Sequence, residues 1–174
     1  NIGFLGRLNK NKGIEDLVTV FNSITKEHSK ENSQLTLSIG GVGTDTYVKN
    51  LKKTAIDKNI EFLGYVSDRN KFFKSISIFV FPSYSEGLGL VLLEAMSYGV
   101  LCIARDAAPM NKIINHADNG FLFTGKEDLK RIIETTLKLN QKEKIQIIKN
   151  GLETIENSYS IIQMYSSIEK VYRN

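Results

Sequence analysis

The sequence predicts an α/β domain: a doubly wound parallel sheet of about six strands with helices on both faces. Three observations carry that reading. Short apolar runs alternate with stretches of helical period from one end of the 174-residue chain to the other. The runs are nearly solid in apolar residues, as in Ile76-Ser-Ile-Phe-Val-Phe81, which suits strands buried on both faces. Most runs end in a turn containing glycine or serine, at the sheet edge where ligands bind in this topology. Right-handed crossovers then place helices on both faces, a Rossmann-like arrangement.

Taken in order, Ile2–Leu5 predicts a first strand closed by Gly6-Arg7, and 13–28 a helix with Ile14, Leu17, Val18, Phe21 and Ile24 on one face. Residues 34–39 predict a strand ending in Gly40-Gly41-Val42-Gly43, and 45–58 a helix with Val48, Leu51, Ala55 and Ile56 as its stripe. A short strand over 60–63 ends at Gly64, Ser67 or Asp68 caps a helix running to Lys74, and 76–81 is the next strand. After the helix over 88–98 come a strand over 101–104, a helix over 109–116, an Asn119-Gly120 turn and a strand at Phe121–Phe123. Three closing helices are expected over 126–139, 141–155 and 160–172. With only two prolines, no repeat and no low-complexity tract, residues 1–174 are expected to form one domain.

The stretch 82–99, PSYSEGLGLVLLEAMSYG, organises the rest. Pro82 ends an apolar strand, a polar turn with Ser83, Ser85 and Gly87 follows, and Leu88, Val91, Leu92, Ala95 and Met96 recur at helical spacing. A helix N-terminus facing such a turn presents free N–H groups and partial positive charge to an anion. Glu86 and Glu94 bracket that helix start. Two readings stay open on spacing alone: a ligand site, or a capping box made by Ser83 and Glu86 with Glu94 a solvated helix residue.

Composition excludes several classes. Apolar residues make up 41% and charged residues 24%, ordinary for a globular chain, and no apolar run approaches the ~20 residues a membrane span needs. A single cysteine, Cys102 in an apolar run, rules out a disulfide framework and a cysteine-based zinc site, and fits a reducing compartment. The net charge of +4 is spread over many lysines, with no interleaved aromatics of the kind a nucleic-acid surface needs. Nucleic acid is therefore not an expected partner, whereas attraction to anionic membrane lipids stays open. The chain opens at Asn1 directly in a strand-like run, as expected of a piece of a longer protein.

The turns that end the strands read Gly6-Arg7, Gly40-Gly41-Val42-Gly43, Gly64-Tyr65, 83–89 and Arg105-Asp106. Glycines admit a ligand close to the backbone, Arg7 and Lys12 supply cationic donors, and Glu86 and Glu94 supply acceptors for sugar hydroxyls. Gathered on one edge, these groups describe a site for a phosphate-linked sugar or a nucleotide. Gly41-x-Gly43 is followed by Thr46 where a dinucleotide fingerprint needs its third glycine, and no G-x-x-x-x-G-K-[ST] loop occurs. His28 and His116 lack metal-ligand spacing, and nothing supports a Ser-His-Asp triad.

The ordered set Gly6-Arg7-Leu8, Lys12-Gly13, Gly40-Gly41-Val42-Gly43, Phe62-Leu63-Gly64-Tyr65-Val66 and Ser85-Glu86-Gly87-Leu88-Gly89-Leu90-Val91-Leu92-Leu93-Glu94-Ala95-Met96 resembles the C-terminal, donor-binding domain of family 4 (group 1) retaining glycosyltransferases of the GT-B fold. The resemblance implies that Arg7 and Lys12 hold the donor diphosphate and stabilise its charge as the glycosidic bond breaks. It implies that Glu86 binds the transferred sugar, and that the amides of Gly87, Leu88, Gly89 and Leu90 cradle the sugar and distal phosphate. Glu94 would take the ribose hydroxyls, Gly6, Gly41 and Gly43 would let the phosphates pass close, and Tyr65 and Val66 would flank the base. No metal and no cofactor are expected, the nucleotide sugar being a substrate. An N-terminal acceptor domain would lie upstream of Asn1. The chain departs from the family at Ala107-Ala108-Pro109 and Asn111-Lys112, where Gly-Gly and a glutamate are common. The expected function is donor binding in a retaining sugar transfer to a glycan or glycolipid, in the cytoplasm or at the inner face of a membrane. A non-catalytic nucleotide-binding module and a sugar-nucleotide epimerase-like domain are the alternatives.

Overall fold

The computed structural model describes residues 1–27 and 35–159. Its strands are β1 (Ile2–Leu5), β2 (Leu37–Gly40), β3 (Ile60–Gly64), β4 (Ile78–Phe81), β5 (Leu101–Arg105) and β6 (Phe121–Phe123). Its helices are α1 (Ile14–Glu27), α2 (Asp45–Thr54), α3 (Arg69–Ser75), α4 (Leu90–Ser97), α5 (Met110–Ile113), α6 (Lys126–Lys138) and α7 (Gln141–Thr154). Every pairing is parallel and the spatial order is β3-β2-β1-β4-β5-β6. The chain winds outward from β1 to β3, then restarts at β4 on the other side of β1. That reversal opens a crevice above the carboxyl ends of β1 and β4, the place where sheets of this order hold ligands.

Period-two alternation splits the core between the two faces. Ile78, Val80, Leu101 and Ile103 face one way, where they join Leu17, Val18, Phe21 and Ile24 of α1 and Leu129, Ile132 and Ile133 of α6. Phe79, Phe81, Cys102 and Ala104 face the other way, against Phe72 and Phe73 of α3 and Leu92, Ala95 and Met96 of α4. Because both faces of β4 and β5 are covered, their sequences are apolar from Ile78 through Phe81 and from Leu101 through Ala104, as expected from Ile76-Ser-Ile-Phe-Val-Phe81. Among the described residues, no helix is long and apolar enough to cross a membrane.

Several boundaries differ from the expected ones, each for a local reason. The expected strand at 76–81 begins at Ile78, because Ile76 closes α3 and the N–H groups of Ser77 and Ile78 both donate to the Asn1 carbonyl. Of the strand expected at 34–39, Gln34 lies outside the described residues, and β2 begins at Leu37 and continues through Gly40, which pairs with Leu5. The helix expected over 45–58 stops at Thr54. Asn22 donates to the Thr54 carbonyl at 2.7 Å and accepts from the Asp57 N–H at 3.2 Å, turning the chain toward β3.

The helix expected over 109–116 shrinks to α5, since the buried Asn119 side chain takes over there. Its Nδ2 donates to the Ile113 carbonyl at 3.1 Å and its Oδ1 accepts from the Asn115 N–H at 2.7 Å. The first helix starts at Ile14, preceded by a 3₁₀ turn at Lys10–Lys12. The helix expected over 141–155 ends as α7 and is followed by a π turn at Ile155–Tyr159. The third closing helix expected over 160–172 lies outside the described residues, as does His28.

Candidate functional site

The site is assembled from loops that follow β1, β2, β3 and β4. Gly13, at φ 62, sits so close to β4 that a Cβ there would lie 2.2 Å from the Pro82 carbonyl oxygen. Only glycine permits that approach. The Tyr84 N–H donates to the Asn11 carbonyl at 2.9 Å, so the 3₁₀ turn and the loop after β4 are stitched together. One consequence is an ion pair across the two loops: Lys12 Nζ lies 2.5 Å from Glu86 Oε1. A second glycine fixes the neighbouring wall. Gly41 adopts φ 138, and a Cβ on it would lie 1.8 Å from the Gly6 carbonyl oxygen, so the ends of β1 and β2 run side by side.

Behind these loops lies a buried clamp that the sequence did not reveal. Arg105, expected as a strand-end group on the ligand edge, is the last residue of β5 and is only 8% exposed. Its Nε donates to the Pro82 carbonyl at 2.9 Å, its Nη2 to Asp16 Oδ2 at 2.7 Å and its Nη1 to the Thr124 carbonyl at 3.2 Å. The Tyr84 ring covers the guanidinium at 4.0 Å, and the Tyr84 hydroxyl donates to the same Asp16 oxygen at 2.6 Å. That hydrogen bond to Asp16 is the main cause of an upward shift in the Tyr84 pKa, with burial and the Asp16 charge adding to it. Arg105 therefore ties α1, the end of β4 and the chain after β6 beneath the Glu86 loop.

The loops enclose a cleft of about 780 Å³. Of the residues singled out from the sequence, Gly6, Arg7, Lys12, Gly41, Tyr65, Val66, Glu86, Leu88, Gly89 and Leu90 line it. Gly43, Gly87 and Glu94 are not among the lining residues. Gly43 forms a parallel bridge with Leu8, and Gly87 is exposed on the loop. Arg7 is exposed and has no hydrogen-bond or ion-pair partner among the described residues.

The capping-box reading of Ser83 and Glu86 does not hold. The cap of α4 is Gly89, which offers no side chain, while Glu86 pairs with Lys12 and the buried Ser83 hydroxyl has no partner among the described residues. The helix starts at Leu90 rather than Leu88, and Leu88, expected in the apolar stripe, is 55% exposed on the cleft rim. With no side-chain cap, the first-turn N–H groups of Leu90 and Val91, both lining residues, remain available to a ligand.

Glu94 lies in the second turn of α4, where Arg69 Nη1, from the first residue of α3, donates to its Oε2. Arg69 itself lines the cleft, as do Asn9 and Asn11, and none of the three was singled out from the sequence. Asn9 and Asn11 could have been suspected from their place between Arg7 and Lys12. Arg69 could not, because only packing brings α3 against α4. Among the described residues, no group of three or more His, Cys, Asp or Glu side chains is placed to hold a metal ion.

The family model described as glycosyl transferases group 1 matches residues 1–154. The chain belongs to that family. It is 30% identical over 175 residues to the capsular polysaccharide biosynthesis glycosyltransferase CapM of Staphylococcus aureus, covering 98% of this chain and 45% of that protein. It is 28% identical over 118 residues to the UDP-Gal:alpha-D-GlcNAc-diphosphoundecaprenol alpha-1,3-galactosyltransferase of Escherichia coli, covering 67% of this chain and 30% of that protein. The chain thus spans less than half the length of these relatives.

Among solved structures, it superposes on the C-terminal domain of the group 1 family protein LpcC from Francisella tularensis with a TM-score of 0.78 at 27% identity, covering 92% of this chain and 86% of that one. Anabaena HepE in complex with UDP and glucose shares the fold, with a TM-score of 0.85 at 22% identity over 99% of this chain and 47% of that one. The group 1 chain described here therefore has the Rossmann-like architecture of a GT-B glycosyltransferase half, corresponding to the C-terminal one.

Proposed function

We propose that this chain is the donor-binding half of a retaining, metal-independent glycosyltransferase that moves a sugar from a nucleoside diphosphate to a glycan or glycolipid. The observation that carries the reading is the Lys12–Glu86 pair at the mouth of a cleft that also holds Arg7, without a partner among the described residues, and the uncapped start of α4. Cations and free N–H groups suit a diphosphate, and a carboxylate beside them suits sugar hydroxyls.

In this reading Arg7, Lys12 and the amides of Leu90 and Val91 meet the negative charge that grows on the diphosphate as the glycosidic bond breaks. Glu86 accepts from hydroxyls of the sugar, Tyr65 and Val66 flank the base, and Glu94 accepts from the ribose. Gly6 and Gly41 let the phosphates pass close to the backbone, Gly43 shapes that wall through its bridge with Leu8, and Gly89 lies beside the sugar. The acceptor would be held by an N-terminal domain facing the cleft, a proposal supported by the chain spanning 45% of the length of CapM. The diphosphoundecaprenol in the name of the E. coli relative supports a lipid-linked acceptor. An acceptor of that kind would draw a cytoplasmic enzyme to the inner face of a membrane.

Calorimetric titration with UDP and with GDP, alone and together with candidate sugars, tests the reading. Saturable binding of one of the two is the expected result. Failure of both to bind at millimolar concentration would overturn it.

A further inference from the structure

We propose that Tyr84 is a positioning residue for the Lys12–Glu86 pair, holding the loop after β4 in register with the turn after β1 so that both charges meet one ligand. The inference deepens the reading of the cleft as a nucleotide-sugar site and rests on it. Tyr84 stands two residues before Glu86, and its N–H donates at 2.9 Å to the carbonyl of Asn11, the residue before Lys12. One backbone bond therefore joins the two segments that carry the pair.

The side chain of Tyr84 is anchored elsewhere, on α1 and β5. Its hydroxyl donates to Asp16 Oδ2 at 2.6 Å, and the Arg105 guanidinium lies 4.0 Å from the ring centre. Both anchors are themselves fixed: Arg105 Nη2 donates to the same Asp16 oxygen at 2.7 Å, and the two side chains are only 9% and 15% exposed. The rest of the loop supplies no comparable hold. Among the described residues the side chains of Ser83 and Ser85 form no hydrogen bond. Beyond Glu86 the loop is open, since a Cβ on Gly87 would meet nothing within 4 Å and Leu88 is exposed. Without the Tyr84 side chain the loop would sample more conformations, and ordering it would cost entropy at the moment of binding. That loss would fall on Lys12 too, because its carboxylate partner would no longer be held beside it. The Tyr84 ring is half-exposed, so its removal leaves the core packing in place.

A double-mutant cycle tests the coupling. The native chain, Lys12→Ala, Tyr84→Ala and the double variant are titrated calorimetrically with UDP and with GDP, after circular dichroism has confirmed that each is folded. Tyr84→Ala should weaken binding of the preferred nucleotide by on the order of tenfold. Lys12→Ala should cost on the order of tenfold in the native background but only about twofold beside Tyr84→Ala, because the lysine is already misplaced there. Tyr84→Phe, which keeps the ring over Arg105, should recover part of the affinity. If Tyr84→Ala does not fold, Tyr84→Leu takes its place in the same cycle. A purely structural role for Tyr84 lowers stability and leaves the effect of Lys12→Ala unchanged. Equal Lys12→Ala losses in the two backgrounds, or native affinity in the Tyr84 variant, would therefore overturn the proposal while leaving the nucleotide site standing. A native chain that binds neither nucleotide removes the site reading and this inference with it.

Discussion

Lys12 Nζ and Glu86 Oε1 lie 2.5 Å apart, joining the turn after β1 to the loop after β4 across 74 positions of sequence. The pair keeps a cation and an acceptor side by side at the cleft mouth. A diphosphate sugar approaching it would exchange this contact for two of its own, phosphate to lysine and hydroxyl to carboxylate.

Replacing Lys12 or Arg7 by alanine should therefore weaken binding of the nucleoside diphosphate by about 1–3 kcal/mol each, the usual scale for a hydrogen bond to a charged group. The two cations should also make affinity fall as salt is raised. Titration at two ionic strengths checks both points, and native affinity in either variant would contradict the assigned contact.

Arg105→Met should destabilise the fold far more than it perturbs any ligand directly. It removes the cationic partner of the Asp16 carboxylate, which keeps only the Tyr84 hydroxyl, and takes from the Pro82 carbonyl its Arg105 donor. A loss of about 3–5 kcal/mol is expected on that ground. Urea denaturation measures it, and a midpoint close to native would show that Arg105 is not the clamp between α1 and β4.

Gly41→Ala should cost stability as well as binding. The substitution places a methyl group 1.8 Å from the Gly6 carbonyl oxygen at φ 138, and backbone strain of that kind costs about 1–3 kcal/mol before the clash is counted. A thermal melt should register the loss, together with weaker nucleotide binding as the ends of β1 and β2 separate.

Cys102 should be inert to thiol reagents in the native state. It is 1% exposed, and burial pushes its thiol pKa up, so less reactive thiolate exists at any given pH than for a free cysteine. Reaction should rise only above the usual thiol range or on unfolding. Fast labelling of the native chain near neutral pH is the outcome that would sink this prediction.

The parallel sheet was legible because β4 and β5 are buried on both faces and leave an apolar record from Ile78 through Phe81 and from Leu101 through Ala104, while α1 and α6 show one apolar stripe each. Boundaries were less legible where a side chain from elsewhere ended an element, as Asn22 does at Thr54 and Asn119 does at Ile113. The start of α4 was misplaced because Leu88 fits the helical period but lies on the exposed side of Gly89.

By itself the amino-acid order determined which groups stand at the carboxyl ends of the strands: Arg7, Lys12, Glu86 and the glycines around them. It could do so because strand ends and glycine turns are local features, read within a few residues. The pairing of those groups was decided only by the tertiary structure. Nothing in the spacing distinguishes a Glu86 that caps its own helix from one that meets Lys12, or predicts that Arg69 reaches Glu94 and Arg105 reaches Asp16. Side-chain pairing across separate elements depends on how the helices pack on the sheet, and that information is spread over the whole core.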